Sequence, residues 1–243
     1  MSNPNCPICH GTNYIGYDVE YSDPRFGKMY PCPECFKNTW DPSIGIDGEE
    51  VSALDWDQFF PTESMKIMKP ALVRILDKGY GWLYIHGNPG IGKTLAAKAA
   101  TIIAHYKHHY QARYITHAGM INFLRSSYDE ERGQGEYERR LRELSSIKWL
   151  VIDELGRDRL NDFSRSSLSD ILDARYTDAI YKKSITILVS NFKPSEILDD
   201  YQQDRVHDKR FFVLELNDKS VRARATYSQA ELSEQEEAWW QKL

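Results

Sequence analysis

The 243-residue sequence contains no apolar stretch that approaches the roughly 20 residues of a membrane-spanning helix. Its polar start, MSNPNCPICHGTN, lacks the apolar core of a secretory signal peptide. A surplus of positive charge is also missing, since 31 Lys and Arg face 36 Asp and Glu and the formal net charge is −5. These absences favour a cytoplasmic protein that does not bind membranes. They also require that any contact with nucleic acid comes from a local basic patch.

Cysteine is scarce, and the four cysteines form two Cys-Pro-x-Cys pairs, Cys6 with Cys9 and Cys32 with Cys35. In a reducing compartment, two such pairs are typical of a structural zinc site with four thiolate ligands. A module of about 45 residues cannot build a large apolar core, and a bound Zn²⁺ would replace it. We therefore predict a zinc-binding module over residues 1–48. Thiols that hold no metal are the alternative.

After residue 48 the sequence changes to short apolar runs that alternate with long segments of helical spacing. Runs rich in Ile, Val, Leu and aromatic residues predict five strands, at 82–86, 113–116, 149–153, 184–190 and 211–216. One amphipathic helix is predicted to begin at Pro70 and to end at Gly79. Strands that alternate with helices predict an α/β fold with a parallel five-stranded sheet, covered on both faces, over residues 49–230. A helical tail is predicted over residues 231–243.

Residues 87–94, GNPGIGKT, match the phosphate-loop pattern G-x-x-x-x-G-K-[ST] between a predicted strand and a predicted helix. Glycines allow backbone N–H groups to surround phosphates, and the helix N-terminus adds the positive end of its dipole. Lys93 is predicted to contact the β and γ phosphates, and the Thr94 hydroxyl to bind Mg²⁺. An ordinary glycine turn is the alternative. The predicted nucleotide-binding residues of this stretch are Gly87, Asn88, Pro89, Gly90, Ile91, Gly92, Lys93, Thr94 and Leu95.

Polar side chains follow two further predicted strands. In WLVIDE, Asp153 ends an apolar run, where its carboxylate can hold the Mg²⁺ shell, and Glu154 is predicted to orient and deprotonate the attacking water. In SITILVSN, Asn191 is predicted to hydrogen-bond the γ phosphate or the water. A solvated acidic turn is the alternative for WLVIDE, and a turn-forming asparagine is the alternative for Asn191.

Together, GNPGIGKT, WLVIDE and ILVSN resemble the AAA+ ATPases, in particular the DnaC/DnaI-like helicase loaders and the related IstB transposition helper ATPases. The similarity covers about residues 51 to 228 and includes SNF after the fourth strand and the segment DRVHDKR. The start CPICHGTNYIGY also resembles zinc modules that precede the ATPase core in some loaders. The resemblance implies an AAA+ P-loop NTPase core that hydrolyses ATP with Mg²⁺. It also implies a replicative DNA helicase, single-stranded DNA and further copies of the chain as partners.

In this family an arginine of one subunit reaches the γ phosphate bound by its neighbour. The resemblance implies Arg205 or Arg210 for this arginine finger, although the family's second arginine falls on Lys209 in an ungapped comparison. It also implies that Arg222 senses phosphate within its own subunit. An exposed surface charge is the alternative for each arginine.

The resemblance also implies that the segment 117–147 forms part of a surface for single-stranded DNA, as the corresponding region does in the loaders. Its basic and aromatic residues are Arg125, Arg132, Arg139, Arg140, Arg142, Tyr128 and Tyr137. Acidic residues are interleaved with them, so a salt-bridged, solvated helix is the alternative. Three other functions stay open: an IstB-like helper that recruits a transposase, a phosphate-loop kinase, and a zinc-dependent adaptor whose ATP site is structural.

Overall fold

The computed structural model describes residues 4–12, 14–16, 18–21, 26–27, 29–32, 41–54, 56, 59, 62–126, 133–157 and 161–220. Its strands are β1 Tyr14–Gly16, β2 Met29–Pro31, β3 Gly81–Gly87, β4 Ala112–Thr116, β5 Trp149–Leu155, β6 Ile185–Ser190 and β7 Phe212–Leu216. Its helices are α1 Gly48–Ala53, α2 Glu63–Lys78, α3 Lys93–Tyr106, α4 His117–Arg125, α5 Gly133–Ser146, α6 Asp162–Ile180, α7 Pro194–Ile197 and α8 Asp200–Val206. Cys35, Tyr128, Arg132, Arg222 and the predicted tail at 231–243 lie outside the described residues.

Strands β3 to β7 form one parallel sheet in the order β4-β5-β6-β3-β7, so the predicted five-stranded parallel sheet is confirmed. Each strand begins and ends within two residues of its predicted bounds. Because all five strands run in the same direction, the loops that follow β3, β5 and β6 meet at one edge of the sheet. We call this the carboxyl edge, and the opposite edge the amino edge.

Both faces of the sheet are covered, as the apolar strands predict. Leu83 and Ile85 of β3 point into an apolar cluster with helices α2 and α3. Trp82 and Tyr84, the alternating residues of the same strand, point into a second cluster with α4, α5 and α6. The two clusters fix the sheet between helical layers and hold its carboxyl edge in place.

Helix α2 begins seven residues before the predicted start at Pro70, so that prediction was wrong. The Thr62 hydroxyl accepts a hydrogen bond from the Met65 N–H at 3.0 Å and caps the helix there. Pro70 therefore lies inside α2, where the buried face that Met65 begins outweighs the hydrogen bond that proline cannot donate. The predicted end is confirmed, since Gly79 has φ 73° and donates to the carbonyls of the last turn.

Arg175 of α6 is fully buried between α5 and the sheet. Its guanidinium donates to the carbonyl oxygens of Leu144 and Ile147, at 3.0 and 2.8 Å, at the C-terminus of α5. It also donates to the Ile185 carbonyl at 2.5 Å and to the Thr186 hydroxyl at 2.7 Å in β6. Burial lowers the pKa of Arg175 to about 9. The side chain thus satisfies helix-end carbonyls that would otherwise be buried without donors.

The segment before α1 packs on the helical layer that covers one face of the sheet. Ile44 and Ile46 are buried in the cluster that contains α2 and α3. Asp47 caps α1 through a 2.8 Å hydrogen bond from the Glu49 N–H. The domain boundaries at residues 48 and 230 stay predictions. None of the helices in the described part of the chain is both long and apolar enough to cross a membrane.

Candidate nucleotide-binding site

The loop between β3 and α3 has the backbone shape that its glycines permit. Gly87, Gly90 and Gly92 have φ values of 142°, 77° and 90°, which other residues rarely adopt. A Cβ atom at Gly87 would lie 1.8 Å from the Leu216 carbonyl oxygen, because β7 passes directly beside the loop. The Asn88 N–H donates to the same carbonyl at 3.2 Å. The end of β7 therefore braces the loop.

The remaining loop residues differ in how far they are buried. Ile91 is buried in the core, whereas Pro89, Thr94 and Leu95 are exposed. Helix α3 begins after Gly92, which supplies no side-chain hydrogen bond to the first turn. The N–H groups of that turn are left to an external acceptor, and an anion at a helix N-terminus supplies one.

Lys93 is a buried residue, and its ammonium lies within the loop. It donates to the carbonyl oxygens of Gly87 at 2.8 Å and Asn88 at 2.7 Å, and to Asn191 Oδ1 at 2.9 Å. Burial lowers the pKa of Lys93 to about 8, and the nearby Asp153 carboxylate opposes that shift. Lys93 thus joins the predicted residues of β3, β5 and β6 at one point of the carboxyl edge.

Asp153 is buried near the end of β5, and both of its carboxylate oxygens accept hydrogen bonds. Oδ1 accepts from the Glu154 N–H and Oδ2 accepts from the Tyr114 hydroxyl, each at 2.6 Å. Burial and the Asp153 charge raise the pKa of Tyr114 far above its ordinary value, so its hydroxyl stays a donor. The sequence analysis missed Tyr114. The alternation of side chains along β4 places Tyr114 on the buried face, but the sequence does not show that Asp153 is its hydrogen-bond partner.

Glu154 occupies an unusual backbone position, with a φ of 56°. The pairing of β5 with β6 shifts register between Ile152 and Leu155, so Glu154 lies in a β-bulge. A bulge redirects the side chains beside it, and a non-glycine residue at positive φ is a feature that clusters at functional sites. The Glu154 carboxylate is half-buried and forms an ion pair with Arg157. Arg157 is a further contact that the sequence analysis missed.

Ser190 connects the ends of β5 and β6. Its hydroxyl donates to the Leu155 carbonyl at 2.6 Å and accepts from the Phe192 N–H at 3.0 Å. These bonds fix the turn that carries Asn191, whose side chain reaches Lys93. Asn191 therefore lies at the carboxyl edge beside the lysine of the loop, and its contact with the γ phosphate or the water stays a prediction.

The oxygen atoms at this edge are of the kind that Mg²⁺ prefers. Thr94 offers a hydroxyl on the exposed first turn of α3, and Asp153 offers a carboxylate with lone pairs beyond its two hydrogen bonds. Asp153 lies at the same carboxyl edge of the sheet as the phosphate loop, with β6 between β5 and β3. The donor set thus fits the predicted magnesium site.

The two candidate finger arginines lie away from this loop and differ from each other. Arg205 is buried in α8, where it pairs with Asp173 and donates to the Tyr201 hydroxyl. Arg210 has 45% of its side chain exposed and is held by Asp208, with Arg210 Nε 2.8 Å from the carboxylate. One residue, Phe211, separates Arg210 from the start of β7, so Arg210 lies at the amino edge. The structure does not bring either arginine to the loop of its own chain.

Three of the predicted zinc ligands are clustered and buried. The sulfur atoms of Cys6, Cys9 and Cys32 all lie within 4.8 Å of one another, and those of Cys6 and Cys32 are 3.6 Å apart. Tetrahedral zinc with Zn–S bonds of about 2.3 Å requires sulfur atoms about 3.8 Å apart. The Cys6 carbonyl accepts from the His10 N–H at 3.0 Å, which closes the turn around the first pair. The arrangement fits the predicted site, whose fourth ligand, Cys35, lies outside the described residues.

The arginines of α5, which the sequence offers for DNA contact, form ion pairs within the helix, and Arg140 also donates to the Phe123 carbonyl at 2.7 Å. Arg139 and Arg140 both donate to Glu136, at 2.6 and 2.8 Å, and these bonds lower the pKa of Glu136 to about 2. Arg142 pairs with Glu138 at 3.7 Å. This is the salt-bridged pattern that we keep as the alternative to a DNA surface.

The model of the family described as IstB-like ATP binding protein matches residues 56–224. A search of curated proteins gives no significant match. The crystal structure of the DnaC helicase loader is 21% identical, with a TM-score of 0.54, and the alignment covers 69% of this chain and 99% of that chain. For the crystal structure of DnaI the identity is 16%, the TM-score 0.53, and the coverage 72% and 95%.

The AMPPCP-bound DnaA structure from Aquifex aeolicus is 19% identical, with a TM-score of 0.56, and the alignment covers 70% of this chain and 52% of that chain. This chain therefore spans about half the length of the replication-initiation structures that it matches. At these identities the likeness shows the fold, which is that of an AAA+ P-loop core and confirms the predicted fold class.

Proposed function

The chain belongs to the family of IstB-like ATP-binding proteins, and from this premise we propose that it hydrolyses ATP to place a replicative DNA helicase on single-stranded DNA during DNA replication. The observation that carries the ATPase part is the convergence of Lys93, Asp153, Glu154 and Asn191 at the carboxyl edge. A phosphate loop with a carboxylate pair at one sheet edge is the arrangement that phosphoryl transfer to water needs.

In this proposal the loop amides and Lys93 bind the β and γ phosphates, and Asn191 steadies the γ phosphate from β6. Thr94 and Asp153 would hold Mg²⁺, which supplies positive charge against the phosphate oxygens. Glu154 accepts a proton from water as its oxygen attacks the γ phosphorus. The bond from that phosphorus to the bridging oxygen breaks, which leaves ADP and inorganic phosphate.

Tyr114 and Arg157 support these two carboxylates in different ways. The Tyr114 hydroxyl fixes one oxygen of Asp153, while the Glu154 N–H holds the other, so the carboxylate has a defined orientation. Arg157 holds Glu154 in an exposed ion pair, which is weak because solvent screens it. Glu154 can therefore leave Arg157 for a water molecule at little cost in free energy.

The loader part of the proposal is supported by how much of each solved structure aligns with this chain. This chain covers 99% of the DnaC helicase loader and 95% of DnaI, but 52% of the Aquifex aeolicus DnaA chain. The described core thus has the extent of a loader ATPase. Another DnaA structure, bound to AMPPCP and single-stranded DNA, covers 78% of this chain and supports single-stranded DNA as a ligand class. The second candidate, a helper ATPase for a transposase, is favoured by the family model itself.

A capture experiment separates these partners. The full chain, with ATP and Mg²⁺, is immobilised and offered the replicative helicase and the transposase encoded beside it or by its host. We expect retention of the helicase and ATP turnover that changes when single-stranded DNA is added. Retention of the transposase alone would replace the loader proposal by the helper proposal. Steady ATP binding without turnover under all of these conditions would support the adaptor with a structural ATP site.

The zinc module has its own test. We expect about one Zn²⁺ per chain in protein purified without chelators, since three sulfur atoms already have zinc-like spacing. Cys32→Ser should lose the metal and unfold the N-terminal module, because metal binding supplies its folding free energy. ATP binding by the core should remain. Ile8→Ser is the matched control, since it adds serine at an exposed position of the same module. Elemental analysis that finds no zinc in the wild-type chain would contradict the prediction.

A further inference from the structure

The amino edge of the sheet carries cations and aromatic rings in contact with one another. We define the amino-edge surface by Arg74, Lys78, Tyr80, Lys182 and Phe212. The Lys78 ammonium lies 4.4 Å from the ring centroid of Tyr80 and 5.8 Å from that of Phe212. Lys182 approaches the Tyr80 ring at 5.5 Å, and the Arg74 guanidinium approaches the Phe212 ring at 5.0 Å. Because the four contacts share two rings, the five side chains form one continuous surface.

Four separate elements build this surface. Arg74 and Lys78 lie in the last turns of α2, Tyr80 precedes β3, Lys182 lies between α6 and β6, and Phe212 begins β7. The surface continues at Lys148, whose ammonium donates to the Gly79 carbonyl at 2.6 Å and lies 5.4 Å from the ring centroid of Tyr110. It lies on the opposite edge of the sheet from the phosphate loop, because the strands are parallel.

The cations of this surface are not neutralised by neighbouring acids. Within the part of the chain that the structure describes, no carboxylate forms an ion pair with Arg74, Lys78, Lys148 or Lys182. Asp77 is the chain neighbour of Lys78, Asp178 lies four residues before Lys182, and Asp208 is engaged by Arg210. In α5, by contrast, Arg139, Arg140 and Arg142 all pair with glutamates.

We propose that the amino-edge surface binds single-stranded DNA, with its cations on the phosphates and its rings against the bases. The net charge of −5 requires a local basic patch for such binding, and cations that have no carboxylate partner among the described residues lie here beside aromatic rings. A base stacked on an aromatic side chain raises affinity roughly 5- to 150-fold, whereas an exposed ammonium on the ring is worth roughly 2- to 5-fold. A base therefore displaces a lysine from its ring, and the released lysine reaches a phosphate.

This proposal rests on the proposed function only in taking single-stranded DNA as the polymer. The rings favour a single strand over a duplex, because the bases of a duplex are already stacked on each other. The main competing occupant is a neighbouring copy of the chain, whose bound nucleotide also carries phosphates. The experiment below distinguishes these occupants.

Binding of a fluorescent oligo-dT to the full chain is measured by anisotropy at several salt concentrations. Arg74→Glu with Lys182→Glu should weaken binding at least tenfold, and the slope of log affinity against log salt should fall by about 1.4, since each single-strand phosphate contact contributes about 0.7. Tyr80→Leu should weaken binding about tenfold with the slope unchanged, because it removes stacking and no charge. Binding of a duplex of equal length should not respond to Tyr80→Leu.

The matched control is Arg139→Glu with Arg142→Glu, which changes the net charge by the same amount on α5. It should keep oligo-dT affinity within about threefold, with folding of each variant checked by its thermal transition.

Wild-type affinity in the amino-edge double variant, or a larger loss of affinity in the α5 variant, would overturn the proposal that the amino-edge surface binds DNA. Helicase capture and the proposed function would be unaffected by that result. ATP turnover without DNA should not change in the amino-edge variants. If these variants lost ATP turnover but still bound oligo-dT, the result would indicate that the surface contacts a neighbouring subunit instead of DNA. No oligo-dT binding by the wild type would overturn the surface and the DNA part of the proposed function together.

Discussion

Glu154→Gln should bind ATP as tightly as the wild type and hydrolyse it at least 100-fold more slowly. Glutamine keeps the size of the side chain but cannot accept the proton of the attacking water, and a positioned general base contributes about 10²- to 10⁴-fold. The fold should be unaffected, because the ion pair with Arg157 that the substitution removes is exposed. Turnover is measured as phosphate release, and binding by a fluorescent ATP analogue.

Two controls make the result specific. Glu215→Gln makes the same chemical change at an exposed carboxylate of β7, near the same edge, and should leave turnover within about twofold. Lys93→Ala should weaken ATP binding itself, because it removes the charged donor at the centre of the loop. A charge-assisted hydrogen bond contributes about 1.5–3 kcal/mol, so the affinity should fall at least tenfold. Normal turnover in Glu154→Gln would remove Glu154 from the proposed reaction.

The fold could be predicted from the sequence where local pattern decides the structure. The central strands β3, β5 and β6 are buried on both faces, so each is a nearly continuous apolar run, and Asp153 and Asn191 lie at the ends of two of them. The phosphate loop is set by glycines at Gly87, Gly90 and Gly92, whose positive φ values the backbone requires. In both cases the residues that carry the signal are neighbours in the chain.

The features that the sequence could not predict depend on residues distant in the chain. Tyr114 lies 39 residues before Asp153, and only the pairing of β4 with β5 brings the two together. Arg175 of α6 donates hydrogen bonds to the carbonyl oxygens at the end of α5. From the sequence alone, an arginine in a helix is expected to be exposed. Pro70 was misassigned for the same reason, since tertiary burial of α2 overrides its local preference for a helix start.

The placement of the finger candidates restricts what either can do. Leu216 at the end of β7 lies opposite Gly87, whereas Arg210 precedes the start of that strand. Five strand residues at about 3.3 Å each, together with the approach to the strand, put Arg210 more than about 15 Å from the loop of its own chain. Arg210 can therefore reach a γ phosphate only in a neighbouring copy. Arg205 is buried against Asp173 and Tyr201, so steadying its own subunit is the role that its contacts support.

Arg210→Ala should keep ATP binding and lose turnover by at least 100-fold, because an arginine finger contributes about 10³- to 10⁵-fold. To reach a neighbour, Arg210 must leave Asp208, whose side chain is only 13% exposed and keeps a hydrogen bond from the Tyr176 hydroxyl at 2.9 Å. Lys209→Ala is the matched control and should retain wild-type turnover, which would also show that the lysine at this position does not replace the family's arginine.

Mixing two inactive variants tests whether Arg210 acts across an interface. Lys93→Ala retains Arg210, and Arg210→Ala retains the phosphate loop. An intact site therefore forms wherever a Lys93→Ala subunit presents its Arg210 to the ATP of an Arg210→Ala subunit. In a head-to-tail assembly mixed in equal amounts, about one quarter of the interfaces have that order, so turnover should recover to about one quarter of the wild-type value. Co-assembly of the variants is verified by chromatography. Assemblies that contain both variants and show no recovery at any ratio would establish that Arg210 does not act on a neighbour's ATP.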